Sequence, residues 1–155
     1  MIKALFLDRD GTINVDHGYV HAPEEFEFID GIFEFCRTAQ EHGYSIFVIT
    51  NQSGIERGYY TIADFERTNQ YMIEEFAKRG VTIVETFYCP SLTGPDRKPA
   101  PGLFLKARDK YDINMASSIS IGDKDRDVAA GIAAGVGINI LYDGNFPNSN
   151  LFMQS

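Results

Sequence analysis

The chain has 155 residues, of which 44% are hydrophobic and 23% charged, and its formal net charge is -8 at pH 7. This length is typical of one domain around a single core, so we expect one domain over 1–155 and no second folded unit. The acidic balance argues against a nucleic-acid partner, which would be bound through a basic surface, so any anionic ligand needs local positive charge.

The first predicted strand and the first predicted helix enclose an irregular segment. Residues 2–7 are almost continuously apolar, which is typical of a central strand that is covered on both faces. Residues 14–29 lack helical periodicity and include a glycine and a proline, so we expect an irregular excursion there. A helix is then predicted from the N-cap Asp30 to Gly43. The expected buried stripe of this helix is Ile32, Phe35, Cys36 and Ala39.

The middle of the chain repeats the pattern of strand and helix. Residues 45–50 form a second apolar run and 82–89 a third, so both are predicted strands. Between them, Thr61 and Asp64 have the spacing of a capping box, and Gly80 marks the end of the helix that they begin. The apolar positions of this helix at helical spacing are Ile62, Phe65, Met72 and Phe76.

The last third of the chain predicts helices at 103–111 and 128–134 and strands at 117–121 and 137–142. The tail 143–155 is expected to be loosely ordered. Strands that alternate with helices favour an α/β fold, with a parallel sheet between two layers of helices. No uncharged stretch reaches the roughly 20 apolar residues of a membrane span, so no membrane partner is expected.

The cysteines and the N-terminus bear on the compartment. Cys36 and Cys89 lie far apart and have no C-x-x-C spacing, so free thiols in a reducing compartment are expected. Asp8 interrupts the apolar N-terminus too early for a signal peptide. We therefore predict a cytoplasmic protein.

Polar side chains follow the predicted strands at the points where those strands end. They are Asp8 and Asp10 after the first strand, Thr50 and Asn51 after the second, Arg97 and Lys98 in the loop after the third, and Asp123, Lys124 and Asp127 after the fourth. Because the carboxyl ends of parallel strands share one edge of the sheet, we expect these residues to converge on one pocket.

Each part of this pattern has an ordinary structural explanation when it is taken alone. Aspartates often cap turns at strand ends, and acids are preferred at helix starts. Three carboxylates at one place, however, repel one another and raise each other's pKa unless a cation lies among them. Oxygen ligands without histidine or thiolate suit a hard ion that also binds phosphate, so Mg²⁺ is the predicted cofactor.

Four motifs carry a resemblance to the haloacid dehalogenase superfamily of phosphotransferases. They are the hhhh-D-x-D-G-T run over 5–12, the threonine at the end of the second strand, Lys98, and the G-D-x-x-x-D run over 122–127. Five segments resemble the D-glycero-D-manno-heptose-1,7-bisphosphate phosphatases and the related histidinol-phosphate phosphatases. These segments are FLDRDGTIN (6–14), DHGYV (16–20), TNQSGIERG (50–58), RKPAPG (97–102) and GDKDRD (122–127). The resemblance covers about 2–142.

The resemblance implies a fold and a shape for the pocket. The fold is a three-layer Rossmann-like α/β fold whose central parallel sheet has the strand order 5-4-1-2-3. Members of this length lack a separate cap domain. The excursion over 14–28 and the loop before Arg97 would therefore shape the substrate pocket.

The resemblance also implies roles for the residues of the site. Asp8 would be the nucleophile that forms an aspartyl phosphate, and Asp10 the general acid and base. Mg²⁺ would be held by Asp8, the Asp10 carbonyl and Asp123, while Asp127 would orient either a metal-bound water or Lys98. The residues expected to hold phosphate oxygens are Thr50 and Lys98. The residues expected to contact substrate are Asp16, His17, Gly18, Tyr19, Asn51, Gln52, Ser53, Arg97 and Lys124.

The chain departs from its close relatives in one loop. Those relatives usually carry a zinc loop of the form C-x-H, a spacer and C-x-C before the R-K-P motif. Here Cys89 remains, Ser91 stands in place of the histidine, and Pro95 and Asp96 stand where the later cysteines would be. One thiol cannot build a tetrahedral zinc site, so no structural zinc is expected and Cys89 is interpreted as a packed strand residue.

The sequence therefore predicts a Mg²⁺-dependent phosphatase for a small phosphorylated sugar, with heptose 1,7-bisphosphate as the first substrate to consider. Histidinol phosphate and a heptose monophosphate are the alternative substrates. A receiver-like phospho-switch and a non-catalytic phosphosugar-binding module are the alternatives from other classes. A receiver takes its phosphoryl group on a mid-chain strand, and this chain has no aspartate at the end of its third strand. We expect a monomer or a weak homo-oligomer.

Overall fold

A computed structural model describes residues 1–153 as a five-stranded parallel sheet with helices on both faces. In chain order the strands and α-helices are β1 Lys3–Leu7, α1 Ile32–Glu41, β2 Tyr44–Asn51, α2 Ile62–Lys78, β3 Ile83–Cys89, α3 Gly102–Tyr111, β4 Ile119–Gly122, α4 Asp125–Ala133 and β5 Ile138–Leu141. Short 3-10 helices cover Pro23–Glu25, Met115–Ser117 and Ser149–Met153. Within residues 1–153 no helix is long and apolar enough to cross a membrane.

The strand order confirms the predicted α/β fold. The sheet runs β3-β2-β1-β4-β5, which is the expected order 5-4-1-2-3 counted from the other edge. The central strand β1 pairs with β2 and β4, so Leu7 lies beside both Val48 and Ile121. The ends of these three strands therefore lie side by side at one edge of the sheet.

Two apolar cores cover the two faces of β1. Leu5 and Leu7 pack into one core with the buried stripes of α1 and α2. Ala4 and Phe6 pack into the other core with α3 and α4. All four side chains are almost completely buried, as the near-continuous apolar run predicts. Burial on both faces fixes where β1 ends and hence where Asp8 lies.

Helix starts follow the sequence closely in one case and differ in two. The capping box of α2 is confirmed, with the Thr61 and Asp64 side chains each bonded to the other's backbone N–H at 3.0 Å. The predicted Asp30 cap of α1 is wrong, since Gly31 takes that position with a φ of 90° and no side-chain bond. The last helix starts at Asp125, earlier than predicted, because the Asp127 side chain caps its first turn.

Burial along α2 differs from the expectation at one end. Phe65, Met72 and Phe76 are buried, whereas Ile62 is 47% exposed. Ile62 is the first residue of the helix and precedes the first buried position, Phe65, by three residues.

The predicted loose tail is corrected for the residues that the structure describes. Phe152 is buried in the core, with its ring centroid 5.2 Å from that of Phe35 and 5.4 Å from that of Tyr44. Phe146 stacks on the same Phe35 ring at 4.9 Å. Aromatic burial orders this segment although its sequence is rich in polar residues. Residues 154–155 of the predicted tail lie outside the described part.

Candidate active site

Three carboxylates meet at the carboxyl end of the sheet. Asp8 follows β1, Asp123 follows β4, and Asp127 lies in the first turn of α4. One carboxylate oxygen of each residue lies within 4.8 Å of those of the other two. Because β1 and β4 are neighbours, the sheet brings together residues that are distant in the sequence.

Gly11 allows the loop after β1 to approach Asp123 closely. Its φ of +94° is in the left-handed region, and a Cβ atom at this position would overlap the Asp123 carboxylate. Asp123 Oδ1 is buried and has no hydrogen-bond partner within residues 1–153. A buried carboxylate oxygen without a donor is costly, so the cluster of Asp8, Asp123 and Asp127 is suited to a cation. We call these three residues the acid cluster.

Lys98 supplies buried positive charge to the acid cluster. Its Nζ lies 2.9 Å from Asp8 Oδ1, 2.7 Å from Asp127 Oδ1 and 2.7 Å from the carbonyl oxygen of Ile49. Burial by itself lowers the pKa of Lys98, but the charges of Asp8 and Asp127 outweigh it and raise that pKa. One ammonium group against three carboxylates leaves negative charge that a divalent cation would neutralise.

The pKa of Asp8 reflects its burial and the crowding of negative charge in the acid cluster. Burial raises the pKa of Asp8 well above its usual range, Lys98 opposes the effect, and Asp127 adds to it. A cation among the carboxylates would favour the charged form and lower the pKa again. The ionised Asp8 that a nucleophile requires is therefore linked to cation binding.

Asp10 has a different environment from the acid cluster. Its Oδ1 accepts hydrogen bonds from Arg9 Nη2 at 2.9 Å and Asn14 Nδ2 at 3.0 Å, and its Oδ2 accepts one from Gln52 Nε2 at 3.0 Å. Arg9 is 1% exposed and also donates to the carbonyl oxygen of Val20 at 2.7 Å. We call Arg9, Asp10, Asn14 and Gln52 the donor cluster.

The end of β2 supports both clusters from the side. The Asn51 amide makes two hydrogen bonds with the backbone of Lys98, at 3.1 and 3.0 Å. The Thr50 hydroxyl accepts from Gln52 Nε2 at 2.9 Å and donates to the Asn51 carbonyl at 3.3 Å. Asn51 therefore holds the loop that carries Lys98, and Thr50 anchors Gln52.

An open cavity of about 370 Å³ lies above the two clusters. The predicted site residues that line it are Asp8, Asp10, Asp16, Gly18, Tyr19, Asn51, Gln52, Ser53, Arg97, Lys98, Asp123, Lys124 and Asp127. Two predicted residues are not in its lining. Thr50 is buried behind Gln52. The His17 ring points to Glu27, with 2.9 Å between its Nε2 and the carboxylate.

Sequence reasoning did not assign five residues around this site. Arg57, Tyr60 and Arg126 line the cavity, and Arg9 and Asn14 donate to Asp10. Arg57 and Arg126 are in the segments TNQSGIERG and GDKDRD, so the strand-end pattern could have identified them. With Arg97, Lys98 and Lys124 they add positive charge around the cavity. The lining therefore holds five cationic side chains beside five aspartates, which gives an anion local positive charge in an acidic protein.

Comparisons with known proteins agree with the fold and identify the family. The family model described as "Polynucleotide kinase 3 phosphatase" matches residues 3–142. The D-glycero-alpha-D-manno-heptose-1,7-bisphosphate 7-phosphatase of Campylobacter jejuni is 48% identical over 153 residues, which cover 98% of this chain and 89% of that protein. The D-glycero-beta-D-manno-heptose-1,7-bisphosphate 7-phosphatase of Yersinia pestis is 43% identical, with 90% of this chain and 80% of that protein covered.

Solved structures of phosphatases share this fold. A D,D-heptose 1,7-bisphosphate phosphatase from B. bronchiseptica, complexed with magnesium and phosphate, matches with a TM-score of 0.82 and 28% identity. The match covers 88% of this chain and 79% of that one. A putative haloacid dehalogenase-like phosphatase from Mesorhizobium loti matches with a TM-score of 0.85 and 35% identity, over 90% and 72% of the two chains. The chain therefore belongs to the haloacid dehalogenase superfamily, in the family of the D-glycero-D-manno-heptose-1,7-bisphosphate phosphatases, and is a phosphoric monoester hydrolase.

Proposed function

We propose that this phosphatase is Mg²⁺-dependent and removes the phosphate at position 7 of a D-glycero-D-manno-heptose 1,7-bisphosphate. The observation that carries the proposal is the acid cluster with Lys98 at the floor of a cavity that has basic side chains around it. The relatives' names support the choice of sugar. Histidinol phosphate and a heptose monophosphate are the alternative substrates. The proposal includes a cytoplasmic protein that works as one domain, as a monomer or weak homo-oligomer.

Asp8 carries out the first half of the proposed reaction. Its carboxylate attacks phosphorus in line with the sugar oxygen, and the bond between phosphorus and that oxygen breaks. Asp10 gives its proton to the departing oxygen. The products are the dephosphorylated sugar and a phosphoryl group on Asp8.

The second half of the reaction returns both aspartates to their starting forms. A water molecule attacks the phosphorus of the aspartyl phosphate and gives a proton to Asp10. The bond between phosphorus and Asp8 breaks, which releases inorganic phosphate and restores the carboxylate. Lys98, which already lies 2.9 Å from Asp8, holds an equatorial oxygen of the phosphoryl group throughout.

The residues present fit a magnesium ion. Asp8, Asp123 and the Asp10 carbonyl would hold it, and Asp123 Oδ1, buried without a partner within residues 1–153, would gain one. The ion would supply positive charge that lets an anionic nucleophile meet an anionic substrate. The 2.7 Å contact between Asp127 and Lys98 supports a role for Asp127 in orienting that lysine.

Arg97 and Lys124 are proposed to bind the second phosphate of the substrate. Both line the cavity, and neither belongs to the acid cluster or the donor cluster. The planar guanidinium of Arg97 suits bidentate contact with a phosphate. The loop that carries Arg97 is braced by its bond to the Ser91 carbonyl at 3.4 Å. Cys89 is buried in β3, with its Sγ 3.8 Å from that same carbonyl.

Phosphate release from a panel of esters tests this proposal. The full chain is assayed with heptose 1,7-bisphosphate, heptose 7-phosphate and histidinol phosphate, each with Mg²⁺ and with EDTA. We expect the bisphosphate to have the highest kcat/KM and EDTA to abolish release. Histidinol phosphate as the best substrate would overturn the choice of sugar. Full activity in EDTA would overturn the role of the metal.

A further inference from the structure

Tyr60 lines the cavity and bonds directly to the donor cluster. It is 6% exposed and comes directly before Thr61, the N-cap residue of α2. Its hydroxyl donates to Gln52 Oε1 at 2.5 Å. Burial raises the pKa of Tyr60 to about 12, so the phenol keeps its proton at neutral pH. Tyr60 is therefore a permanent donor to Gln52.

The Gln52 side chain links Tyr60 to Asp10. Gln52 is 3% exposed, and its Nε2 donates to Thr50 Oγ1 at 2.9 Å and to Asp10 Oδ2 at 3.0 Å. Both amide hydrogens are thus used, and the amide oxygen faces the Tyr60 hydroxyl. Tyr60 is the donor to this oxygen within residues 1–153, so its hydroxyl fixes which way the amide turns.

The Tyr60 ring is held in place by two other loops. A Cβ atom at Gly54 would overlap the ring, so only glycine lets the loop after β2 lie against it. On another side the His21 ring stacks on Tyr60, with centroids 5.1 Å apart and planes 3° from parallel. Packing therefore sets the position of the hydroxyl before any substrate arrives.

We propose that Tyr60 is a positioning residue that acts through Gln52 to hold the Asp10 carboxylate in line with the leaving oxygen. The proposal rests on the proposed function of Asp10 as the proton donor. Without the Tyr60 hydroxyl, the Gln52 oxygen loses its donor and the amide is free to rotate. Asp10 then loses a bond to the oxygen that is not held by Arg9 and Asn14.

Tyr60→Phe tests this role because it removes the hydroxyl and keeps the ring. The probes are a series of substituted phenyl phosphates, which share one shape, contain no sugar hydroxyls and differ in how much their leaving group needs a proton. We expect kcat/KM to fall about tenfold for the most basic phenols and to change less than about twofold for p-nitrophenyl phosphate. An equal loss across the series would mean a purely structural role and would overturn the proposal.

Tyr44→Phe is the matched control. Tyr44 is also buried and lies at the opposite end of β2, away from the cavity. We expect its substitution to leave the dependence on the leaving group unchanged. A similar change in Tyr44→Phe would show that loss of any buried tyrosine hydroxyl produces the effect, which would also overturn the proposal.

A double-mutant cycle tests whether the effect passes through Gln52. We expect Tyr60→Phe to have little further effect in a Gln52→Leu background, since the link to Asp10 is already lost. Additive effects on kcat/KM for the most basic phenol would contradict a shared path.

A measurement that does not need turnover separates this inference from the proposed function. In ¹⁵N NMR of the wild type, the Gln52 side-chain amide hydrogens should exchange slowly with water, and in Tyr60→Phe about tenfold faster. If the wild type releases no phosphate from any ester in a Mg²⁺-dependent way, the proposed function is refuted. The NMR result still decides in that case whether Tyr60 holds Gln52. Unchanged exchange in Tyr60→Phe would overturn the inference.

Discussion

Asp8 and Asp10 are two residues apart in the sequence but lie in opposite electrostatic environments. Asp8 belongs to the acid cluster, where three carboxylates face one buried ammonium group. Asp10 belongs to the donor cluster, where three side chains donate hydrogen bonds to its two oxygens. Lys98 is the side-chain hydrogen-bond donor to Asp8 within residues 1–153, whereas both carboxylate oxygens of Asp10 accept hydrogen bonds from side chains.

This difference explains how one loop supports two chemical roles. The carboxylates of the acid cluster repel one another, and a bound cation would reduce that repulsion. This environment suits a nucleophile that must be ionised when it meets an anionic substrate. The donor cluster fixes the direction of its carboxylate, which suits a group that must pass a proton along a defined line. The environment, and not the residue type, assigns the two roles.

Asp8→Asn should have the strongest effect, because it removes the nucleophile and one of the three carboxylates of the acid cluster. Phosphate release should fall by about 10⁴-fold or more. Because burial raises the pKa of Asp8, the neutral amide should also stabilise the metal-free protein. Thermal unfolding with and without Mg²⁺ measures the second effect. A destabilised metal-free variant would contradict the account of the acid cluster, and retained turnover would remove Asp8 as the nucleophile.

Asp10→Asn is the matching change in the donor cluster. It should lower kcat/KM for the sugar phosphate by roughly 10²- to 10⁴-fold, because an amide cannot donate the proton. Mg²⁺ should still stabilise this variant, since only the Asp10 carbonyl is expected to bind the ion. Calorimetric Mg²⁺ titration of the two variants compares them directly. Loss of Mg²⁺ binding in Asp10→Asn would contradict the claim that the Asp10 side chain has no part in holding the ion.

The acid cluster could be predicted from the sequence, because it follows from topology. A parallel sheet puts strand ends at one edge, so the positions of Asp8, Lys98 and Asp123 followed from strands that their apolar runs revealed. The strand order itself came from the resemblance to the superfamily.

The donor cluster could not be predicted in the same way, because it depends on how loops pack. Arg9 follows a buried strand and could have pointed to solvent; its burial depends on a contact with the Val20 carbonyl. Tyr60 reaches Gln52 only because of the close approach at Gly54. The same reason explains the buried Phe152, whose partners Phe35 and Tyr44 are distant in the sequence.

Arg9→Met tests whether the donor cluster depends on its buried charge. The variant keeps an apolar stem of similar length but leaves Asp10 and the Val20 carbonyl without this donor. We expect the free energy of unfolding to fall by about 3 kcal/mol, as for a broken buried pair. Urea denaturation measures it, with the exposed Arg67→Met as the control that should change it by less than about 0.5 kcal/mol. Equal effects in the two variants would show that Arg9 is not a structural anchor.

The smallest expected effect comes from Arg97→Ala, a change outside both clusters. The side chain lines the cavity but touches neither Asp8 nor Asp10, so the variant should keep both chemical roles. We expect KM for heptose 1,7-bisphosphate to rise about tenfold and KM for the 7-monophosphate to change by less than about twofold, with kcat unchanged for both. Steady-state kinetics on the two esters gives this ratio. Equal increases in the two KM values would reject a contact between Arg97 and the second phosphate. A large fall in kcat would mean that Arg97 also affects the chemical roles of Asp8 and Asp10.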